Sequence, residues 1–264
     1  MRRALAACLA LSLGAAPVGV FLMLRRMSLA ADAISHAILP GAAVAYLASG
    51  LSLSTMTFGG MVAGIAVALL AGGVARHSVI REDTSFAAFY LISLSAGVLL
   101  ISARGGNVDL LHVLFGSVLA LDDAALILLS AFATLSVAAL ALGLRLLVFE
   151  CCDPAYLARV SRLGPLAHYG FMTLVVVNLV GGFHALGTLM AVGIVILPAA
   201  SARFWVDSVP SLLVAAAALA FAGSTGGLLL SFYFGLPAGP AIVLTLGAVY
   251  LLSMFVGPRG SIFR

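Results

Sequence analysis

The chain has 264 residues, of which 64% are hydrophobic and 8% are charged, and its mean hydropathy is +1.25. These values exclude an ordinary soluble domain and indicate a polytopic membrane protein. All thirteen basic residues are Arg. A P-loop of the G-x-x-x-x-G-K-S/T type needs a Lys, so any ATP-driven work would depend on a partner. The net charge of +4 is spread over positions that flank apolar segments, which gives no support to nucleic-acid binding.

The first apolar segment covers residues 4–24. Its opening, MRRALAACLALSLGAA, imitates a signal peptide, but only four residues separate Arg3 from Cys8 and the hydrophobicity continues to Leu24. We therefore predict a first membrane span that is retained. Cys8 and the adjacent Cys151 and Cys152 give no disulfide framework.

The second apolar segment, RRMSLAADAISHAILPGAAVAYLASG, carries Asp32 and His36 inside a stretch long enough to cross a bilayer. Four residues apart on a helix, the two side chains are offset by about 40° and about 6 Å, so they leave from one face. A carboxylate and an imidazole are ligands for divalent metals. Pro40 and Gly41 follow one turn later, where a Pro can kink the helix.

Two interpretations of this pair are open. Ionisable groups deep in a membrane helix are costly, about 2.5–3.5 kcal/mol on insertion scales, and they usually face a pathway or a binding site. A single His in such a helix is often only hydrogen-bonded to a neighbouring helix. Asp32 and His36 on the same face favour an ion or proton site near the bilayer midplane over a structural polar bridge.

The remaining apolar segments predict an all-α protein with eight or nine spans and no room for a soluble domain. With the Arg25/Arg26 turn on the cytoplasmic side, ten of the thirteen Arg lie inside, which satisfies the positive-inside rule. The N-terminus is then outside and the C-terminus inside. The predicted segments are 28–49, 53–75, 86–102, 124–149, 168–184, 186–202, 208–233 and 240–257.

Three polar connections separate these segments. Residues 76–85, with their charged side chains, are predicted to form a solvated cytoplasmic turn, with partner contact as the alternative. Residues 103–123 contain an apolar part too short to span, typical of an interfacial or re-entrant helix with a structural His112. This outer loop is acidic because it contains Asp109, Asp122 and Asp123. These side chains either form a hydrated rim or attract cations to the outer surface.

The third connection, residues 149–165, reads FECCDPAYLARVSRLGP. Asp153-Pro154 is a helix-start signal and Gly164-Pro165 a helix stop, so the sequence predicts a short cytoplasmic helix outside the membrane. This helix either rests on the lipid headgroups or docks to a cytoplasmic partner. Further on, GGFHALG predicts a tight external turn, where His184 is either a solvated residue or a second metal ligand.

The sequence resembles the permease subunit of the bacterial zinc/manganese ABC importers. The resemblance covers nearly the whole chain, and its Asp-x-x-x-His helix and ILPAASAR segment are specific. His184 departs from the family pattern, where Gln is expected, and leaves the metal preference open. The stretches that carry the resemblance are RRMSLAADAISHAILPG, REDT at 81–84, DLLHVLFGSVLAL at 109–121, DPAYLARVSRLG, ALGTLMAVGIVILPAASAR at 185–203 and SFYFGLPAGPAIVL at 231–244.

This resemblance implies a single transmembrane permease domain over residues 1–264 in the vitamin-B12-importer-like arrangement. It implies a second permease subunit, expected to be an identical copy, two cytoplasmic ATP-binding subunits and an extracytoplasmic metal-binding protein. Asp32 and His36 would be the ligands of the metal in transit. A coupling helix at about 150–164 would contact the ATPase through Asp153, Tyr156, Leu157, Arg159 and Gly164.

The predicted function is the permease of an importer that moves Zn²⁺, Mn²⁺ or Fe²⁺ across the bacterial inner membrane, with ATP hydrolysed by the partner. The chain itself is then not an enzyme.

One Asp and one His are half a coordination shell, so a twofold dimer would supply two oxygens and two nitrogens. Without a thiolate or thioether at the site, Cu(I) is disfavoured. The alternative is a proton-coupled secondary metal transporter or channel that acts without an ATPase.

Overall fold

The computed structural model describes residues 2–50, 52–79, 81–103, 122–152 and 163–258 of the chain. Within these ranges the secondary structure is helical, as the sequence predicts. The helices are α1 (Arg2–Leu24), α2 (Ser28–Ser49), α3 (Leu53–His77), α4 (Glu82–Ala103), α5 (Asp123–Cys152), α6 (Gly164–Leu186), α7 (Thr188–Ala202), α8 (Val209–Phe234) and α9 (Ala238–Val256).

Seven of the described helices, all except α4 and α7, are long and apolar enough to cross a membrane. α7 has 15 residues and therefore reaches only about 22 Å, less than the hydrocarbon thickness of about 30 Å. α4 and α6 each begin four residues before the predicted apolar segment. Glu82 and Asp83 in the first turn of α4, and Pro165 in the first turn of α6, favour helix starts without being apolar.

α1 and α6 form the centre of the helix bundle. In their apolar stretches 72% and 78% of the residues are buried, against 28–50% in the other five candidate spans. α1 packs against α5, α7 and α8, while α6 packs against α3, α5 and α7. The two central helices therefore join a group made of α2, α3 and α4 to a group made of α7, α8 and α9.

The contact between α2 and α3 depends on two glycines that face each other. A Cβ on Gly41 would overlap the carbonyl oxygen of Gly59, and a Cβ on Gly59 would overlap the carbonyl oxygen of Gly41. Small residues at such a crossing let the two backbones approach closely, which is a common way for membrane helices to associate. This contact fixes the C-terminal half of α2 against α3.

A buried polar contact joins α5 and α6. The side-chain amide of Asn178 donates hydrogen bonds to the hydroxyl of Ser136 at 2.7 Å and to the carbonyl of Leu174 at 2.8 Å. Because these groups have no water in an apolar interior, their mutual hydrogen bonds stabilise the helix pair.

α6 and α7 meet at a single glycine. Gly187 has φ = 87°, a conformation that side chains with a Cβ rarely adopt. The predicted turn at GGFHALG is therefore reduced to Gly187, because the first six residues of that run belong to the end of α6. This turn brings α7 beside α2.

Candidate metal site

Asp32 and His36 lie on one face of α2, as their spacing predicts. Oδ1 of Asp32 is 3.7 Å from Nε2 of His36, and the side chains are 56% and 24% exposed. The hydroxyl of the intervening Ser35 donates a hydrogen bond to the backbone carbonyl of Asp32 at 2.7 Å, so it does not donate to the Asp32 carboxylate or to His36. The carboxylate oxygen and the imidazole nitrogen are thus neighbours on the same side of the helix.

The separation of these two atoms suits a shared divalent cation. Two ligand atoms at about 2.1 Å from one metal ion, and about 110–120° apart, are roughly 3.4–3.6 Å from each other. The observed 3.7 Å needs only a small side-chain adjustment to reach that range. A carboxylate and an imidazole four residues apart on a helix can therefore both bind the same ion.

A cavity of about 260 Å³ opens in front of the pair. Asp32, Ser35 and His36 form its polar wall, whereas the opposite wall comes from α7 and from Val243 of α9. No local pattern in the sequence indicates this opposite wall, because it depends on a contact between distant helices. The α7 part is apolar apart from one hydroxyl at the start of the helix, and consists of Thr188, Leu189, Val192, Gly193, Ile196 and Leu197.

α4 packs beside the site. The ring of Tyr90 lies 5.3 Å from the ring of His36, centroid to centroid, with an angle of 46° between the planes. One turn further along, the hydroxyl of Ser93 donates to the carbonyl of Ala37 at 3.3 Å, and Gly97 packs against the ring of Pro40. α4 therefore contacts a face of α2 that adjoins the cavity, since His36 belongs to both.

Among the described residues, no group of three or more His, Cys, Asp or Glu side chains is arranged to hold a metal ion. Asp32 and His36 supply two ligands, fewer than the four or more that a divalent cation takes up. His184 lies in the last turn of α6, close to the turn at Gly187 that precedes Thr188, but its side chain is outside the described residues. Its role as a second ligand stays a prediction.

A charge cluster lies at the end of the bundle that is expected to be cytoplasmic. It brings together the end of α1, the end of α3, the start of α4, the end of α5 and the start of α6. Nη2 of Arg25 is 3.8 Å from Glu150, 3.9 Å from Glu82 and 2.6 Å from His168, and Nη2 of Arg76 is 2.6 Å from Glu150. The members of this charge cluster are Arg25, Arg76, Glu82, Glu150 and His168.

The solvated turn predicted for residues 76–85 is therefore wrong for Arg76 and Glu82. Their side chains are only 27% and 31% exposed, and Arg76 pairs with a Glu150 side chain that is 2% exposed. A signal was present in the sequence, since each of the five residues lies at an end of an apolar segment on the same predicted side of the membrane. Their pairing across helices was not visible in any local pattern.

The acidic residues at the other end of the bundle have structural partners. Oδ1 of Asp122 accepts a hydrogen bond from the N–H of Ala125 at 2.8 Å, and Asp123 forms an ion pair with Arg3 at 2.8 Å. These contacts start α5 and tie it to α1. Asp109 and His112 lie outside the described residues.

The predicted coupling residues fall mostly on a part of the chain that the structure does not describe. Asp153, Tyr156, Leu157 and Arg159 are outside the described residues, whereas Gly164 is the first residue of α6. The segment predicted to couple to the ATPase thus connects the end of α5 to the start of α6. Both of these ends contribute to the charge cluster, through Glu150 and His168.

Comparison with known proteins identifies the family. A family model described as the ABC 3 transport family matches residues 1–257. The manganese import system permease protein ScaB of Streptococcus gordonii is 31% identical over 98% of this chain and 92% of that protein. A protein of Haemophilus influenzae named "Probable iron transport system membrane protein" is 30% identical over 96% of this chain and 92% of its own length.

A solved structure shows the same fold. PsaBC from Streptococcus pneumoniae, in complex with Fab, superposes with a TM-score of 0.86 at 29% identity, and the match covers 99% of this chain and 93% of that chain. The predicted family and the predicted all-helical fold are both confirmed. The chain belongs to the ABC 3 transport family and is a multi-pass bacterial membrane protein with the fold of an ABC importer permease.

Proposed function

We propose that the chain is the membrane-spanning subunit of an ATP-driven importer that carries a divalent transition metal, with Mn²⁺ as the principal substrate. The single observation that carries this proposal is the pairing of Asp32 Oδ1 with His36 Nε2 at 3.7 Å beside a cavity lined by α2, α7 and Val243 of α9. The relative named as a manganese import system permease protein supports the choice of metal. A harder oxygen donor beside an imidazole suits Mn²⁺, Fe²⁺ and Zn²⁺, and is a poor site for Cu(I).

A second copy of the chain would complete the coordination. Asp32 is 56% exposed although it lies in an apolar span, and a carboxylate is too costly to face lipid. A twofold partner placed against this face would cover both carboxylates and contribute the same two ligands again. The shared site would then hold two carboxylates and two imidazoles, which meets the requirement of a divalent cation.

The energy for import would come from a partner. The sequence has no Lys and hence no P-loop, so two cytoplasmic ATP-binding subunits would hydrolyse the ATP. The segment at about 150–164 would transmit their movement to α5 and α6, and an extracytoplasmic binding protein would deliver the metal. The membership of the ABC 3 transport family supports this arrangement over a proton-coupled secondary transporter or channel.

The test is ATP-dependent uptake of Mn²⁺ by proteoliposomes that contain the permease with its ATP-binding subunit. Asp32→Ala and His36→Ala should each abolish uptake while the protein still inserts and assembles. Asp32→Asn should be nearly as severe, because an amide is a far poorer metal ligand than a carboxylate. Asp123→Asn is the matched control, since that carboxylate is 71% exposed at the end of the bundle and should be dispensable. Normal uptake by either single variant would remove the site assignment, and uptake without ATP would favour the secondary transporter.

A further inference from the structure

The imidazole of His36 has an aromatic neighbour that belongs to another helix. Tyr90 of α4 places its ring 5.3 Å from the ring of His36, at an angle of 46°. Tyr90, Ser93 and Gly97 are spaced by three and four residues and so lie on one face of α4. Ser93 and Gly97 hold that face on α2 through Ala37 and Pro40, so the Tyr90 ring is kept in place by contacts further along both helices.

This contact limits the orientation of the imidazole. The Tyr90 ring lies on one side of the His36 ring, and the Asp32 carboxylate lies 3.7 Å from its Nε2. A different χ1 rotamer of His36 would carry the whole imidazole away from Tyr90 and Nε2 away from Asp32. The contact therefore favours the rotamer in which His36 and Asp32 can bind the same ion.

We propose that Tyr90 is a positioning residue for His36, which holds the imidazole so that its Nε2 and the Asp32 carboxylate bind the metal together. This inference rests on the proposed function, because it names a residue that acts on the same site. Tyr90 does not bind the metal itself. Its contribution comes from the aromatic ring, so Phe can replace it and a residue without a ring cannot.

The expected loss of Mn²⁺ affinity follows from the ordering of His36 that Tyr90 provides. Immobilising one flexible side chain on binding lowers the affinity about 3- to 10-fold. A site in which His36 must be ordered by the metal should bind more weakly by that factor. The maximal transport rate should change little, because the ligands and the cavity remain.

The experiment compares Tyr90→Phe, Tyr90→Leu and Tyr90→Met in the complex with the ATP-binding subunit. Mn²⁺ uptake into proteoliposomes gives KM and the maximal rate, and equilibrium binding of Mn²⁺ to the purified complex gives Kd. We expect Tyr90→Leu and Tyr90→Met to raise KM and Kd about 3- to 10-fold with the maximal rate within about twofold. Tyr90→Phe should behave as the unmodified protein. Leu91→Ala is the control, since Leu91 is the next residue of α4 and is 57% exposed.

A double variant separates positioning from general packing. In a His36→Ala background the readout is the Kd of the residual Mn²⁺ binding rather than uptake. Tyr90→Met should cause no further rise in this Kd, because there is no imidazole left to orient. An equal loss with and without His36 would overturn the inference, as would an unchanged KM in both Tyr90→Leu and Tyr90→Met. If either result is found but His36→Ala alone still strongly weakens Mn²⁺ binding and uptake, the inference fails and the proposed function stands. If His36→Ala itself binds and transports Mn²⁺ normally, the inference and the proposed function both fail.

Discussion

Nη2 of Arg25 donates a hydrogen bond to Nδ1 of His168 at 2.6 Å, which joins the end of α1 to the start of α6. A guanidinium can only donate, so Nδ1 must accept and the ring proton of His168 is on Nε2. His168 also lies 3.9 Å from Glu82 and from Glu150, but an imidazole in this tautomer makes no ion pair with them. The two guanidiniums of the charge cluster, Arg25 and Arg76, are therefore balanced by two carboxylates.

This balance predicts the consequence of removing one carboxylate. Glu150→Gln should destabilise the folded permease by about 3–5 kcal/mol, because Glu150 is 2% exposed and its loss leaves two guanidiniums with a single counter-charge. The measurement is the thermal unfolding midpoint of the detergent-solubilised protein. A divalent metal is not expected in this cluster, since the same two guanidiniums repel it.

The matched control is again a carboxylate with an arginine partner. Asp123→Asn breaks the ion pair with Arg3. The side chains of Arg3 and Asp123 are 58% and 71% exposed, so this variant should change the free energy of unfolding by no more than about 1 kcal/mol. Similar unfolding midpoints for Glu150→Gln and Asp123→Asn would mean that the buried charge cluster does not hold the helix ends together.

The glycine contact between α2 and α3 gives a second stability prediction. Gly41→Ala should destabilise the protein by about 1–3 kcal/mol, because the new Cβ would overlap the backbone of Gly59 and push α2 from its place. Gly170→Ala on α6 is the control, since a Cβ there meets nothing within 4 Å. The readout is the unfolding midpoint together with Mn²⁺ uptake. A Gly41→Ala protein as stable and active as Gly170→Ala would contradict the close packing of α2 and α3.

The coupling segment gives a third prediction. Leu157→Asp combined with Arg159→Glu should release the ATP-binding subunit, because the proposed function places the contact with that subunit on this segment. Co-purification of the two subunits, and the ratio of Mn²⁺ transported to ATP hydrolysed, measure the effect. A double variant that keeps its partner and transports normally would place the coupling elsewhere, with residues 76–85 as the next candidate.

The sequence predicted those features that depend on local spacing. Apolar runs located the helices, and the four-residue interval between Asp32 and His36 placed both ligands on one face of α2. The apolar pattern predicts the starts of α4 and α6 four residues late, because polar residues in a first turn extend a helix beyond its apolar part. The glycine-rich run GGFHALG predicts a break between two apolar segments, but the helix continues through most of that run and ends only at Gly187.

Features that depend on contacts between distant helices were not predicted. Arg25 and His168 are 143 positions apart, and nothing near either residue indicates its partner. The apolar wall of the cavity and the contact of Tyr90 with His36 are further examples, since each needs the packing of a separate helix on α2. Membrane helices are apolar on all sides, so their sequences alone do not distinguish a lipid-facing side from a packed one.

The last prediction concerns the dimer that the proposed function requires. Leu29 is 72% exposed and lies one turn before Asp32, whereas Ala37 is completely buried against the rest of the chain. If a second copy covers the face of Asp32, a cysteine at position 29 should come near its twofold counterpart, and a cysteine at position 37 should not. The background needs Cys8, Cys151 and Cys152 replaced.

Cross-linking of the Leu29→Cys variant should therefore produce a covalent dimer, with Ala37→Cys as the buried control that gives none. The yield should change when ATP is added to the complex with its ATP-binding subunit, because alternating access moves the helices that line the pathway. Leu39 of α2 lies nearly in line with Asp32, two turns further along, and provides a second position on the same face. If neither Leu29→Cys nor Leu39→Cys cross-links in complexes that still transport Mn²⁺, then α2 does not face a twofold axis and each subunit must carry its own pathway and complete its own coordination shell.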